Sequence, residues 1–376
     1  MLSYWDQNSL LDYDFLIAGG GIVGLSTAIS ILEKKPKARV LVVERGLLPT
    51  GASTRNAGFA CFGSLTELLE DEEKIGADEM LHLASMRWHG LQLLLARLGE
   101  EAMDYRNYGG YEILGPEGEA ALEKMPHIND ILFDYFKQEV FFPAHDEIAS
   151  LGFRKDAIRF LIRNPLEGQI DTGKMMRSLW QRYLKMGGQM ITGAEVMQWE
   201  DGGAKVSMRV KNPLGEAITF SGKHLAVCTN AFTRKLLPEI ELAPGRGQVL
   251  ITEPIPGLPF KGCFHYQEGY YYFRNLGERI IFGGGRNLDF EAETTTEPGL
   301  TPGVQDHLED MLKSWIIPGK PFRIAHRWSG IMAFGPDKRP LMHNLSPNVI
   351  LGVRLGGMGV AIGSYLGAEL AKECCA

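Results

Sequence analysis

Apolar and polar positions change period several times along the chain, and each change marks an element. Asp14-Phe-Leu-Ile-Ala18 is a short, wholly apolar run that predicts a buried strand. Gly19-Gly-Gly21-Ile-Val-Gly24 interrupts it, and Leu25–Leu32 resumes with helical spacing. Arg39-Val-Leu-Val-Val43 predicts a second buried strand, closed by Glu44. Later apolar runs at Leu225–Ala231 and Val349–Val353 again end in small or glycine residues. Between them, Gly269–Arg274 and Glu278–Gly285 read as paired strands, the first placing Tyr271 and Phe273 on one face and Tyr270, Tyr272 and Arg274 on the other.

The first of these patterns has chemical content. Gly19 permits the tight turn, Gly21 lets the backbone approach a pyrophosphate, and Gly24 packs helix against strand. The N–H groups of the following helix start, at Ile22 and Val23, face the phosphates together with the helix dipole. Glu44 lies 20 residues after Gly24, where a carboxylate accepts hydrogen bonds from ribose hydroxyls. An acid at this position disfavours NADP and leaves FAD or NAD.

Three later segments decide between the two. The loop Thr50–Gly63 combines small residues with the cation of Arg55, suited to a pyrophosphate and a flat ring pressed on backbone. Cys228-Thr-Asn-Ala231 places Thr229 and Asn230 at the C-terminal end of a strand. Gly356-Gly-Met-Gly-Val360 is a turn able to aim N–H groups at a flavin's pyrimidine carbonyls. Such dispersed segments are what a flavin ring requires, whereas an NAD site is usually completed within one contiguous half.

Composition narrows the class. The 376 residues carry 39 Lys and Arg against 46 Asp and Glu, a net charge of −7 with no basic stripe, so no nucleic-acid partner is expected. Five cysteines without CxxC spacing fit a reducing compartment, and no His or Cys spacing predicts a metal. No basic-then-apolar leader is seen at the start, and glycines and flanking acids break the run Phe15–Leu32 as a membrane span. The expected location is therefore cytoplasmic. The 45 glycines gather at 19–24, 51–63, 283–285 and 352–363.

Together these motifs, in this order, resemble the FAD-dependent oxidoreductases of the D-amino-acid oxidase superfamily, which includes glycine, sarcosine and glutamylputrescine oxidases. Ser3-Tyr-Trp5 and Thr54-Arg-Asn-Ala-Gly58 are most similar to the glutamylputrescine oxidase branch. The resemblance implies an α/β fold, α+β overall, in which a Rossmann-like FAD domain (1–80, 155–235 and 325–376) is interleaved with a substrate domain (81–154 and 236–324) built on an antiparallel sheet. It implies non-covalent FAD held by Gly19, Gly21, Ile22, Val23, Gly24, Glu44, Arg45, Ser53, Thr54, Arg55, Asn56, Ala57, Gly58, Val196, Thr229, Asn230, Gly330, Gly356, Gly357, Met358, Gly359 and Val360.

The implied chemistry is hydride removal from the carbon beside an amine, giving an imine that hydrolyses, with oxygen or another acceptor re-oxidising the flavin. Tyr271 and Arg286 take the substrate-facing positions of the pattern, and His326 and Trp328 lie at the active-site rim. Met332 stands where carboxylate-clamping members often carry Arg, and Ile281 stands where some sarcosine oxidases carry Lys. Either Arg286 supplies the cation from another wall, or the substrate is an amine lacking a nearby carboxylate. A tRNA-modifying flavin oxidase, an NAD-linked dehydrogenase and a non-catalytic flavin-binding module are the competing readings.

Overall fold

The computed structural model describes residues 2–154, 156, 158–212 and 214–376. Its first layer system is a six-stranded sheet in the order Leu341–Ser346, Val349–Val353, His224–Val227, Phe15–Ala18, Val40–Val43, Gln189–Ile191. All neighbours are parallel except the first pair. Helices Ile22–Lys34, Ala77–Leu98, Thr172–Lys185 and Gly359–Cys375 contribute to the core over one face. The three-stranded antiparallel sheet Val196–Asp201, Val206–Val210, Ile218–Gly222 covers the other. Burial on both faces explains why Phe15–Ala18 and Val40–Val43 are apolar at every position.

The second system is an eight-stranded sheet running Ile324–Phe334, Ala243–Thr252, Arg279–Gly284, Tyr271–Leu276, Cys263–Tyr266, Gly110–Leu114, Phe160–Asn164, Phe142–Pro143. Only Cys263–Tyr266 and Gly110–Leu114 run parallel. An aromatic core containing Phe153, Phe260, Phe264, Tyr271, Phe273, Phe282 and Trp315 fills one face. Ala57, Val249 and Ile281 mark the opposite face, where the sheet meets the nucleotide half.

Strand pairing crosses two of the expected domain seams. Phe160–Asn164, expected in the nucleotide domain, pairs with Gly110–Leu114, so the chain stays in the large sheet until about Gly168. Ile324–Phe334 likewise pairs along Ala243–Thr252 and returns to the nucleotide sheet only at Leu341–Ser346. The seam expected at residue 155 itself lies outside the described residues.

Candidate active site

The two halves enclose a cavity of about 500 Å³. Its nucleotide end is made mainly of backbone. Gly19 has φ +109°, and a Cβ there would stand 2.6 Å from the Cys228 carbonyl oxygen. At Gly24 a Cβ would be only 1.9 Å from the Gly19 carbonyl oxygen, so this glycine fixes how closely helix meets loop. The helix then opens at Ile22, whose N–H donates to Ser53 Oγ at 3.0 Å. Glu44 is buried; its Oε2 and Oε1 accept from the Gly20 and Gly46 N–H groups, each at 2.9 Å. Those bonds orient the carboxylate at the end of its strand. Arg45 lies 3.4 Å over the Phe232 ring beside Val196 on the same wall.

Further along, Ser53, Arg55, Asn56 and Ala57, Thr229 and Asn230, and the turn Gly356–Gly359 all line the same cavity. The loop is fixed by side chains. Asn56 Oδ1 accepts from the Gly58 N–H and Thr172 hydroxyl, and the Trp328 indole N–H donates to the Arg55 carbonyl at 2.9 Å. Gly356 and Gly357 have φ of +55° and +85°, which turns the chain tightly before the final helix. Gly19, Gly21, Ile22, Val23, Glu44, Arg45, Ser53, Arg55, Asn56, Ala57, Val196, Thr229, Asn230, Gly330 and the run from Gly356 to Val360 all line the cavity.

Gly24, Thr54 and Gly58 stand behind that lining. Thr54 donates its hydroxyl to the Pro49 carbonyl at 2.7 Å, and a Cβ on Gly58 would meet the Ile170 oxygen at 2.3 Å. Their part is to shape the loop, not to face a ligand. The remaining cradle fits a dinucleotide: a helix start, a glycine loop and a buried carboxylate share one wall, with open space before them.

The sheet-facing end is made of side chains. Tyr272, with Tyr270, Arg286, His265, Met332 and Phe334, lines this end, Tyr272 packing against the cluster of Ala57, Val249 and Ile281. Tyr271 does not: it is 2% exposed in the aromatic core, 5.5 Å from the His307 ring. Alternation separates the two faces of this strand, but the face that meets the cavity is that of Tyr272, not the Tyr271 face that the family pattern implies. A cue lies in the partner strand. Tyr272 pairs with Gly283, where a Cβ would stand 2.5 Å from the tyrosine ring. Burial pushes the Tyr272 hydroxyl up to about 12.

Arg286 reaches the cavity, lying 4.0 Å over Phe334 and 4.9 Å over Phe290. Burial holds its pKa below the ordinary value, and no carboxylate pairs with it among the described residues. His326 and Trp328 differ from expectation. They stack on one another at 5.9 Å and line a separate shallow pocket with Thr54, Arg55 and Gly299, behind the loop. His326 is exposed, and Trp328 positions the Arg55 carbonyl.

Cys61, Glu67 and His265 also line the cavity, and sequence reasoning missed all three as site residues. Sγ of Cys61, a carboxylate oxygen of Glu167 and a ring nitrogen of His265 lie within 4.8 Å of one another, a grouping with metal-ligand proximity that the sequence spacing did not predict. Glu167 accepts from the Phe62 N–H at 3.0 Å, yet burial pushes it up to about 8. Burial likewise lifts Glu112 to about 7 and lowers His265, where Glu67 partly offsets the effect. At neutral pH the group beneath the cavity is therefore a protonated Glu167 against a neutral imidazole.

No helix among the described residues is long and apolar enough to cross a membrane. The family model described as FAD dependent oxidoreductase matches residues 14–373. A curated relative, the bifunctional protein ThiO/ThiG of Synechocystis sp., is 24% identical over 357 residues, covering 90% of this chain and 48% of its own. The chain thus spans about half the length of that relative. L-proline dehydrogenase from P. horikoshii superposes with a TM-score of 0.78 at 16% identity, covering 96% of this chain and 93% of the other. Glycine oxidase from Geobacillus kaustophilus gives 0.73 at 16% identity, covering 96% and 95%. Iminodiacetate oxidase from Chelativorans sp. BNC1 gives 0.72 at 18% identity, covering 95% and 94%. The chain belongs to the FAD-dependent oxidoreductase family, and FAD, not NAD, is its cofactor.

Proposed function

We propose that this family member oxidises the C–N bond of a small amine that also carries a carboxylate. The observation that carries the reading is the Arg286 guanidinium, which pairs with no carboxylate among the described residues and is set in the wall of the same cavity that begins at the glycine loop. A half-buried cation without an internal carboxylate is strongly biased toward one in a ligand, which it grips through two parallel hydrogen bonds. The named relatives fit: glycine, L-proline and iminodiacetate each join an amine to a carboxylate one carbon away.

FAD, bound without a covalent link, supplies a two-electron hydride acceptor. This chain's residues do the positioning. The Gly19–Val23 loop and helix start, Glu44 and Arg45 would hold the dinucleotide, and Ala57, Gly330 and Gly356–Val360 the ring. Arg286 fixes the substrate's carboxylate, Tyr272 offers a hydroxyl to its polar edge, and Met332 and Phe334 exclude water. With the amine neutral and the substrate so oriented, the α-carbon gives up a hydride; the resulting imine is hydrolysed by water to carbonyl and amine. Oxygen or another acceptor then takes the electrons.

The test is anaerobic mixing of the yellow holoenzyme with a panel of amines and amino acids, followed by air. Bleaching of the band near ~450 nm by a carboxylate-bearing amine is the expected result. Re-oxidation on admitting air would identify an oxidase, and slow return a dehydrogenase. A flavin that no member of the panel reduces would refute the proposal.

A further inference from the structure

Several charged residues besides Arg286 line the cavity and are left unused by the proposed chemistry, among them Glu67, Glu268 and Lys338. Glu67 lines it, and its surroundings leave this carboxylate over. Of the neighbouring cations, Lys338 is committed to Glu70 at 2.8 Å and Asp71 at 3.2 Å, while Arg87 lies 3.5 Å from Asp71. Lys74 pairs with Glu70. None reaches Glu67 within ion-pair distance among the described residues. Its Oε2 accepts from the Ser64 N–H at 3.1 Å, closing the cap of helix Leu65–Ile75. Oε1 faces Gly269, where a Cβ would stand only 3.1 Å away.

Burial raises the Glu67 carboxyl, but Lys338, His265 and the Ser64 N–H outweigh it, and the net displacement is downward. The group is therefore an anion at neutral pH. Beside it, His265 is 6% exposed, and its Nε2, 3.8 Å from a Glu167 carboxylate oxygen, has no hydrogen-bond partner among the described residues.

Register places this anion relative to Arg286. An Arg286 Nη1 lies 3.3 Å from where a Gly245 Cβ would be, on strand Ala243–Thr252. Glu67 abuts Gly269, in the turn joining Cys263–Tyr266 to Tyr271–Leu276. In the order of the sheet these points are separated by about two and a half strand spacings, or ~12 Å. Tyr272 stands between them. Allowing about 2.8 Å for a charged hydrogen bond at either end leaves ~6–7 Å between the ligand's charges. That is the length of roughly four or five carbons in extended form.

We infer that the substrate is an extended, doubly functional amine: its carboxylate rests on Arg286, and a distal ammonium or guanidinium rests on Glu67. Basic amino acids have this form. The inference rests on the proposed amine oxidation but can be tested apart from it.

Two ligands that cannot be oxidised, hexanoate and its ω-trimethylammonium derivative, would be titrated into the oxidised holoenzyme while following the flavin spectrum. The cationic ligand is expected to bind about tenfold tighter, equivalent to ~1.4 kcal/mol. Glu67→Gln should bring the ratio of the two affinities toward one, and Glu67→Asp should keep part of it. Should Glu67→Gln lose its flavin, the Glu67→Asp ratio and the salt sensitivity of the wild-type preference decide. Equal affinities in the wild-type enzyme, or a preference untouched by Glu67→Gln, would overturn the inference. In the reactive panel, lysine or ornithine should then reduce the flavin with a higher kcat/KM than norleucine. A panel with reduction but no such preference sinks this inference alone, whereas no reduction by any amine sinks the proposed oxidation.

Discussion

The two ends of the cavity are built by different means. At the nucleotide end the lining is largely backbone, and glycines at Gly19, Gly24, Gly356 and Gly357 set its path. At the sheet end, side chains from separate strands converge: Arg286, Tyr272, His265 and, from a helix, Glu67. A backbone site tolerates few changes of shape, because an added Cβ meets main chain at Gly19 and Gly24 and a left-handed φ at Gly356 and Gly357. A side-chain site tolerates substitution structurally and answers with altered specificity.

The largest expected effect follows at Gly24. Gly24→Ala sets a methyl group 1.9 Å from the Gly19 oxygen, so helix and loop must separate. Overpacking of this kind costs about 1–3 kcal/mol. Purified protein should carry less than about a tenth of the wild-type flavin, read from its visible absorbance. Full flavin content would show that the backbone end is more yielding than this comparison holds.

At the other end, Arg286→Met should fold and retain flavin while kcat/KM for carboxylate-bearing amines falls about 10²-fold or more, in line with loss of a charged hydrogen-bonded pair. Uncharged amines should change far less. An equal loss for both classes would make Arg286 a structural cation.

The tyrosine pair gives a sharper contrast within one strand. Tyr272→Phe should lower kcat/KM about tenfold, or ~1.4 kcal/mol. Tyr271→Phe should leave flavin reduction unchanged and cost only ~0.5–1.5 kcal/mol of stability. Reversal of the two results would mean that the opposite face of the strand carries the site.

A smaller and pH-dependent effect is expected beneath the cavity. The folded Glu167 carboxyl is raised from 4.5 to about 8, so the native state holds a proton that the unfolded chain has already lost. The stability this confers is complete below about pH 4.5 and disappears as pH rises through about 8. Melting temperature should therefore decline across that window, and Glu167→Gln, which cannot ionise, should flatten the decline. An unchanged slope in the variant would show that Glu167 titrates normally. Smallest of all, His326→Ala should stay within about twofold of wild type in flavin reduction, as exposed positions do.

Much of the nucleotide end was legible in the chain because its parts are local. The turn, the helix start and Glu44 occupy one βαβ unit, where spacing translates directly into geometry. The later glycine turns were recognisable for the same reason. The sheet end was legible only in its ingredients. Alternation correctly separated Tyr271 from Tyr272, yet could not say which face met the cavity, since that depends on which layer covers each side. His326 and Trp328 sit near the return strand's cavity-lining glycine, but the strand carries them past the loop into another pocket.

By itself, then, the sequence determined the glycine turn, helix start and terminal acid of one βαβ unit, which rest on short-range backbone requirements, and its motif order pointed to the fold class and to FAD. Only the tertiary structure decided which side chains face the reactive end. Glu67, Glu167 and His265 are far apart in sequence, and nothing in their local context marks them. They become neighbours because helix Leu65–Ile75 caps against the large sheet while Cys263–Tyr266 lies beside Gly110–Leu114. Proximity of that kind is set by strand order and packing, which no single stretch of chain contains.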